Sequence, residues 1–295
     1  MPKVAVVTDS CASIPESIVE ALGIRWVPYY IHMAGQTLRD LVTAKRDSFY
    51  QALLTIKRLP TTASPGPGDY VQTYQELADE GAKEIVSIHM TSKGSGAFQA
   101  AKVAQSMVEE TIPGLRVAVI DTLNVAMCQG WMAIEAARAS LDGKSLEDIV
   151  ALIEQLIPIT RMIQTADTLK YLYMGGRIGR AKQLVGSLLS IKPLIGMEEG
   201  VIVPLGTARS RRKAYEFMAD TLQAAVGETG RVKIAYMHAA AADEVEKLRR
   251  LVEERVRVVE TIVAELSPAL GVHSGPGTAG LCYYPLPVEP RGPLP

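Results

Sequence analysis

The N-terminal stretch Lys3-Val4-Ala5-Val6-Val7-Thr8-Asp9-Ser10, followed by Ser13-Ile14-Pro15-Glu16, carries the clearest indication of the fold. The apolar, β-branched run at 3–7 predicts a strand buried on both faces, as in parallel sheets. Residues 13–16 predict a capping box with a proline in the first helical turn, and Gly23 predicts the end of that helix. A buried strand that leads into a helix is the beginning of an α/β unit.

The same alternation continues through the first half of the chain. Strand-like runs are found at residues 25–31, 84–90 and 116–120, and helical patterns at 67–80 and 97–110. Strands that alternate with helices favour a parallel sheet with helices on both faces. We therefore predict an N-terminal three-layer α/β/α domain with a parallel sheet over residues 1–158.

The second half has a different pattern. A short helix is predicted at 167–174, ended by Gly175-Gly176, and further helices at 181–189 and 243–255. Strands are predicted at 201–205, 232–238, 257–264 and 281–284. We predict a C-terminal two-layer α/β domain with a mixed sheet over 159–287, followed by a Pro-rich tail at 288–295.

Composition excludes several classes of protein. The chain has 295 residues, 48% of them hydrophobic, and a net charge of −1, so it offers no electrostatic footprint for nucleic acid. No apolar run reaches the roughly 18 residues of a membrane span, and the N-terminus does not resemble a signal peptide, which predicts a cytoplasmic protein. The cysteines Cys11, Cys128 and Cys282 are expected to be buried thiols, and the histidine spacing predicts no metal site.

Four small-residue segments carry hydroxyl or imidazole groups. They are Thr8-Asp9-Ser10, Pro60-Thr61-Thr62-Ala63-Ser64-Pro65, Ser92-Lys93-Gly94-Ser95-Gly96 and His273-Ser274-Gly275-Pro276-Gly277. At least two of them follow predicted strands, where open α/β sheets place their ligand sites. Hydroxyls, backbone N–H groups and a histidine suit a small anion such as a carboxylate or a phosphate.

Each of these residues has a simpler explanation. Ser95 lies in a turn between a strand and a helix, where it would either bind an anion or only cap the helix. Thr62 taken alone is more often a turn residue, and His273 a loop histidine with its hydrogen bonds satisfied. The strand-end aspartates Asp9 and Asp121 are expected to hold neighbouring loops by accepting backbone N–H bonds.

Taken in order, these segments resemble the DegV family, bacterial proteins that bind fatty acids. The resemblance spans nearly the whole chain and is carried by the segments at 8–10, 61–65, 92–97, 119–122, 175–178, 191–193, 209–214 and 273–277. It implies the DegV-like fold and an interdomain tunnel for a long-chain fatty acid. It also implies a carboxylate held by Thr62, Ser95 and His273, with Gly96, Ser274 and Gly275 beside them.

The resemblance further implies a carrier without catalytic residues or a cofactor. Such a protein presents its fatty acid to a separate fatty acid kinase, which forms the acyl phosphate. We also expect transient contact with a membrane. Three positions depart from the family pattern: Ala63, Gly94 and Ala97. The two alanines each remove a hydroxyl from the surroundings of the head group, and Gly94 alters the tunnel wall.

Other interpretations of the same residues remain open. The basic residues Arg177, Arg209 and Arg211 either contact a partner or a phosphate group, or form a solvated surface. A hydrolase of lipids or acyl phosphates would use Ser95 and His273, although no G-x-S-x-G elbow surrounds any serine. A regulatory protein that senses lipid would need the same binding site and no chemistry.

Overall fold

One parallel sheet, one mixed sheet and one small antiparallel sheet organise the chain. This computed structural model describes residues 4–56, 58–187, 191–227 and 230–286, so the predicted tail at 288–295 lies outside the described residues. The strands are β1 (Val4–Asp9), β2 (Arg25–Val27), β3 (Tyr30–Met33), β4 (Gln36–Arg39), β5 (Thr61–Ala63), β6 (Glu84–His89), β7 (Arg116–Asp121), β8 (Arg161–Thr165), β9 (Lys192–Glu198), β10 (Val201–Ala208), β11 (Arg231–His238), β12 (Arg257–Glu265) and β13 (Ala279–Leu286).

The helices surround these sheets. They are α1 (Glu16–Leu22), α2 (Arg46–Thr55), α3 (Pro67–Asp79), α4 (Ala97–Thr111), α5 (Met127–Leu141), α6 (Leu146–Leu156), α7 (Lys170–Met174), α8 (Arg211–Val226), α9 (Ala242–Glu253) and α10 (Pro268–Ser274). Short 3₁₀ helices cover Ser10–Ala12 and Gly179–Ser187.

The first sheet has the strand order β2-β1-β6-β7, and all its pairs are parallel. Every residue of β1 is buried, as expected for a central strand covered on both faces. The helices α3 and α4 pack together on this sheet, and α5 and α6 form a second packed pair. The predicted three-layer architecture with a parallel sheet is confirmed.

The second sheet has the order β10-β9-β8-β13-β11-β12 and is antiparallel except for the pair β11–β12. The predicted mixed sheet is therefore confirmed. Helices α8 and α9 pack on it. Residues of this sheet such as Met162, Met237 and Cys282 belong to the same apolar core as the first sheet. The division into domains at residue 158 stays a prediction.

Two of our predictions for the N-terminal half were wrong. The strand predicted at 25–31 is interrupted at Pro28, which has no N–H to donate to a ladder, and its two parts lie in different sheets. The second part, β3, pairs with β4 and β5 in an antiparallel sheet that we did not predict. The capping box at Ser13 is also absent: α1 begins at Glu16, and the Ser13 hydroxyl instead accepts the N–H of Ser267 at 2.9 Å.

Predictions around the glycines of the second half were only partly right. The short helix begins at Lys170 rather than at Asp167, because Thr168 accepts the N–H of Lys170 through its side chain. The helix predicted at 181–189 is a 3₁₀ helix, Gly179–Ser187, and its last two predicted residues lie outside the described residues. Its start at Gly179 has a positive φ of 55° that breaks regular α-helical geometry.

Candidate functional site

A cavity of about 620 Å³ lies where the first sheet, α10 and the second sheet meet. This volume is within the range of small-molecule sites, about 300–1,000 Å³. Much of its wall is apolar, contributed by Met90, Val125, Met162, Leu172, Met197 and Leu270. Its polar lining includes Thr62, Ser95 and His273, so the cavity combines polar groups with an apolar surface.

Thr62 and His273 meet at this cavity from distant parts of the chain. Thr62 is on β5, whose pairing with β3 sets it opposite Ile31, and His273 lies in the last turn of α10. The Thr62 Oγ1 is 2.7 Å from the Nε2 of His273. The other ring nitrogen, Nδ1, makes no hydrogen bond to any described residue.

Ser95 has a different partner, Tyr29. The Tyr29 hydroxyl lies 2.6 Å from the Ser95 Oγ, and the same Oγ accepts the N–H of Ala97 at 3.3 Å in the first turn of α4. Ser95 precedes Gly96, the N-cap residue of α4, so it bonds to the helix terminus from one residue outside the cap, and it also lines the cavity. Its role in binding an anion stays a prediction.

Comparisons with known proteins show the family of the chain. The model of the DegV family, described as uncharacterised proteins, matches residues 3–286. The chain belongs to the DegV family. A DegV domain-containing protein of Streptomyces coelicolor is 36% identical over 280 residues, which cover 94% of this chain and 97% of that protein.

Solved DegV structures share the fold. A DegV family protein from Thermus thermophilus, described by its fatty acid binding, superimposes with a TM-score of 0.89 at 33% identity, covering 96% of this chain and all of that one (100%). A stearic acid-binding protein from Eubacterium ventriosum gives a TM-score of 0.85 at 25% identity, covering 96% and 98% of the two chains. The parallel sheet and the mixed sheet of this chain are thus those of DegV proteins.

The electrostatics of the cavity favour an anion. Its described lining includes the cations Lys93 and Arg177 and no aspartate or glutamate. Burial, and secondarily the charge of Arg177, lower the pKa of His273 to about 4, so the imidazole is neutral at pH 7. Burial also raises the pKa of Tyr29, which keeps its hydroxyl protonated and able to donate.

Five of the six predicted ligand-binding residues of this DegV protein line the cavity: Thr62, Ser95, Gly96, His273 and Ser274. Gly275 does not. Its φ of 75° and its position, where a Cβ would lie 2.2 Å from the Tyr171 ring, explain a glycine there by packing alone. Sequence reasoning missed Tyr29, Lys93 and Gln164, which also line the cavity.

The predicted basic residues separate into three environments. Arg177 lines the cavity and donates to the carbonyl of Gly175 at 2.7 Å. Arg211 is largely buried and forms an ion pair with Asp167 at 2.9 Å. Arg209 is exposed in the bend between β10 and α8. Of these three arginines, only Arg177 therefore lines the cavity.

The strand-end aspartates hold loops, as predicted. Asp9 accepts the N–H of Cys11 at 3.0 Å and of Met90 at 3.3 Å, and its other contact is the buried His89 at 3.1 Å. Asp121 accepts the N–H of Ser92 at 3.2 Å. Among the described residues no cluster of His, Cys, Asp and Glu is arranged to hold a metal ion, and no helix is long and apolar enough to span a bilayer.

Proposed function

We propose that this DegV protein is a non-catalytic carrier that binds a long-chain fatty acid in the 620 Å³ cavity. In this proposal Thr62, Ser95 and His273 hold the carboxylate, and the apolar wall holds the acyl chain. The observation that carries it is the meeting of the Thr62–His273 and Tyr29–Ser95 pairs at one cavity with an apolar wall. The fatty acids bound by similar DegV proteins support it.

Proton positions explain how neutral groups would hold an anion. A neutral His273 with its proton on Nε2 donates to the Thr62 oxygen, which leaves the Thr62 hydroxyl free to donate to a carboxylate. In the same way Tyr29 donates to the Ser95 oxygen, and the Ser95 hydroxyl then points its proton to the ligand. In this proposal the Thr62 hydroxyl and the Ser95 hydroxyl therefore each donate one hydrogen bond to the fatty acid carboxylate.

The acyl chain supplies most of the affinity. At about 0.8 kcal/mol for each buried CH₂, a dozen methylenes contribute on the order of 10 kcal/mol before the costs of binding. Each hydrogen bond to the charged carboxylate adds only about 1.5–3 kcal/mol, and desolvation of the carboxylate cancels part of this. The polar end therefore sets the orientation of the acid in the cavity.

We propose further that the bound acid is delivered to a separate fatty acid kinase, which phosphorylates the carboxylate. The exposed Arg209 is the residue we assign to partner contact, because Arg211 is already paired with Asp167. The cytoplasmic location and the transient membrane contact expected from the sequence stay predictions.

The alternative, a hydrolase with Ser95 as nucleophile, has less support. Ser95 bonds to Tyr29 and His273 bonds to Thr62, so the described hydrogen bonds do not join the serine to the histidine. No described carboxylate orients Nδ1 of His273, as a triad requires. An assay with a chromogenic ester separates the two functions, because the hydrolase would lose its turnover in Ser95→Ala and the carrier has none to lose.

The proposal is tested by denaturing the purified protein and identifying any released lipid by mass spectrometry. We expect about one long-chain fatty acid per chain, or uptake to that level when the acid is added to lipid-free protein. A protein that is empty and takes up no fatty acid would contradict the proposal.

A further inference from the structure

The segment that carries His273 is held by the first half of the chain. Helix α10 connects β12 to β13 of the second sheet, yet it contacts α2, β3 and β5. Three backbone groups just before it bond to side chains of the first half: Arg46 donates to the carbonyl of Glu265 (2.9 Å), Tyr50 to that of Leu266 (3.0 Å), and the N–H of Ser267 donates to Ser13 (2.9 Å). The position of His273 therefore depends on contacts with residues that are more than 200 positions away in the sequence.

Asp40, which follows β4, bonds both to Tyr29 and to the helix that carries His273. Its Oδ1 accepts the N–H of Ala269 in the first turn of α10 at 3.1 Å. Its own N–H donates to the carbonyl of Tyr29 at 2.8 Å. One fully buried residue thus links the helix of His273 to the tyrosine that bonds Ser95.

Two hydroxyls beside Asp40 extend this link. Ser10 and Ser267 face its carboxyl group. The Ser10 oxygen accepts the N–H of Tyr29 at 3.0 Å, and the Ser267 oxygen accepts the N–H of Leu270 at 3.4 Å. The Oδ2 atom of Asp40 makes no hydrogen bond of good geometry to any described residue. A buried carboxylate without a directly bonded cation is costly, so stability alone does not explain its presence.

We infer that Asp40 is a positioning residue for the carboxylate site, which it serves by holding Tyr29 and the start of α10 together. Through these contacts the Tyr29–Ser95 pair and the Thr62–His273 pair face the same point of the cavity. This inference rests on the proposed function, since the group to be positioned is the fatty acid carboxylate.

Acidification separates this role from a purely structural one. Burial raises the pKa of Asp40 to about 6, opposed by Ser10, Ala269, Ser267 and Arg46. Because this pKa is above the unfolded value of about 3.9, the ionised form costs stability at neutral pH, and the cost is relieved as pH falls from about 6 to 4. The bond from the Ala269 N–H to the Asp40 carboxylate loses its charge assistance over the same range. A fall in pH therefore weakens the positioning of α10 and His273, while it raises the stability of the folded state.

Other titratable groups near Asp40 could also respond to pH, and control variants separate their effects from that of Asp40. Cys11 and Tyr50 have pKa values raised by burial and stay protonated. Glu265 also has a raised pKa, and nearby His238 a lowered one, both because of burial. Glu265→Gln therefore serves as a control for titration, and Asp47→Asn as a control at an exposed position of α2.

The test measures the release of a fluorescent long-chain fatty acid from the full chain between pH 7.5 and 5, together with Tm at each pH. At pH 7.5 we expect Asp40→Asn to release the acid about fivefold faster than wild type, the difference between a charge-assisted and a neutral hydrogen bond. Its Tm should be equal or higher. On acidification the wild-type rate should approach that of the variant, while Asp47→Asn follows wild type and Glu265→Gln keeps the wild-type response to pH.

Equal release rates for wild type and Asp40→Asn at pH 7.5 would overturn the role of Asp40 and leave the proposed function standing. Faster release accompanied by a proportionate fall in Tm would also overturn it, because that result describes a structural residue. A wild-type protein that takes up no fatty acid would overturn the proposed function itself, and the inference with it.

Discussion

The Nε2 of His273 lies 2.7 Å from the Oγ1 of Thr62, although 211 positions separate the two residues in sequence. The first residue belongs to a helix inserted between two strands of the mixed sheet, and the second to the small antiparallel sheet. The site exists only when these elements are folded against each other. Fatty acid binding at this site should therefore respond to substitutions around Thr62 and to substitutions around His273.

Removal of the Thr62 hydroxyl should weaken fatty acid binding. Thr62→Val keeps the shape of the side chain and loses one donor to the charged group, which corresponds to about tenfold weaker binding. Thr61→Val is the matched control, because Thr61 is exposed and its side chain points to the other face of β5. Titration with a fluorescent fatty acid measures both, and equal affinities would count against the assignment of Thr62.

Removal of the Tyr29 hydroxyl should act through Ser95. Tyr29→Phe leaves the ring in place and frees the Ser95 hydroxyl to turn away, so we expect a several-fold loss of affinity. In a Ser95→Ala background the same change should have no further effect, as in a double-mutant cycle between coupled residues. Tyr74→Phe is the control, since it removes a buried bond to Ser87 outside the cavity. Additive effects of Tyr29→Phe and Ser95→Ala would contradict the coupling.

A methyl group at Gly175 should displace His273. The Cβ of an alanine there would lie 2.3 Å from the Nδ1 of His273, so the ring must move away from Thr62. Gly175→Ala is expected to weaken binding, whereas Gly68→Ala, where nothing lies within 4 Å, should not. Affinity together with the imidazole NMR signals of His273 checks this. Unchanged imidazole signals and unchanged affinity would show that an alanine at position 175 does not displace the His273 ring.

His273 should make the protein less stable in acid. Its folded pKa of about 4 lies below the unfolded value near 6.5, so the folded state binds fewer protons, and stability falls as pH decreases from 6.5 to 4. At about 1.4 kcal/mol for each pKa unit, this amounts to roughly 3.5 kcal/mol at most. Urea unfolding of wild type and His273→Gln at several pH values measures it. The stability advantage of wild type should shrink on acidification, and a constant difference would refute the assignment.

Charge reversal at Arg209 should affect delivery of the acid and not its binding. Arg209→Glu changes an exposed side chain outside the cavity, so lipid affinity should stay the same while turnover by a fatty acid kinase falls. Arg212→Glu, three residues further along in the first turn of α8, is the control, since the exposed Arg212 pairs with Glu216. Equal kinase turnover for wild type and Arg209→Glu would exclude this residue from the partner surface.

Much of the fold follows from local sequence. The strand β1 and its helix could be predicted because an apolar run, a glycine stop and helical spacing act over a few residues. The convergence of Thr62, Ser95 and His273 depends on long-range packing. Their assignment came from resemblance to the DegV family, since each residue alone is also explained by a turn, a cap or a loop.

Tyr29 and Asp40 had no comparable signal. The sequence predicts a continuous strand through Tyr29. Only Pro28 indicates the break between β2 and β3, after which the Tyr29 hydroxyl lies beside Ser95. Asp40 is a single carboxylate after a short strand, and its importance comes from Ala269, which is 229 positions away. Contacts of this kind depend on the folded arrangement and leave no periodic pattern in the sequence.

The most direct test of the central claim is a crystal structure of the protein bound to stearic acid. We expect the carboxylate within hydrogen-bond distance of Thr62 Oγ1 and Ser95 Oγ, with the acyl chain against Met90, Met162 and Met197. A reversed acid, or an acid bound outside this cavity, would contradict it.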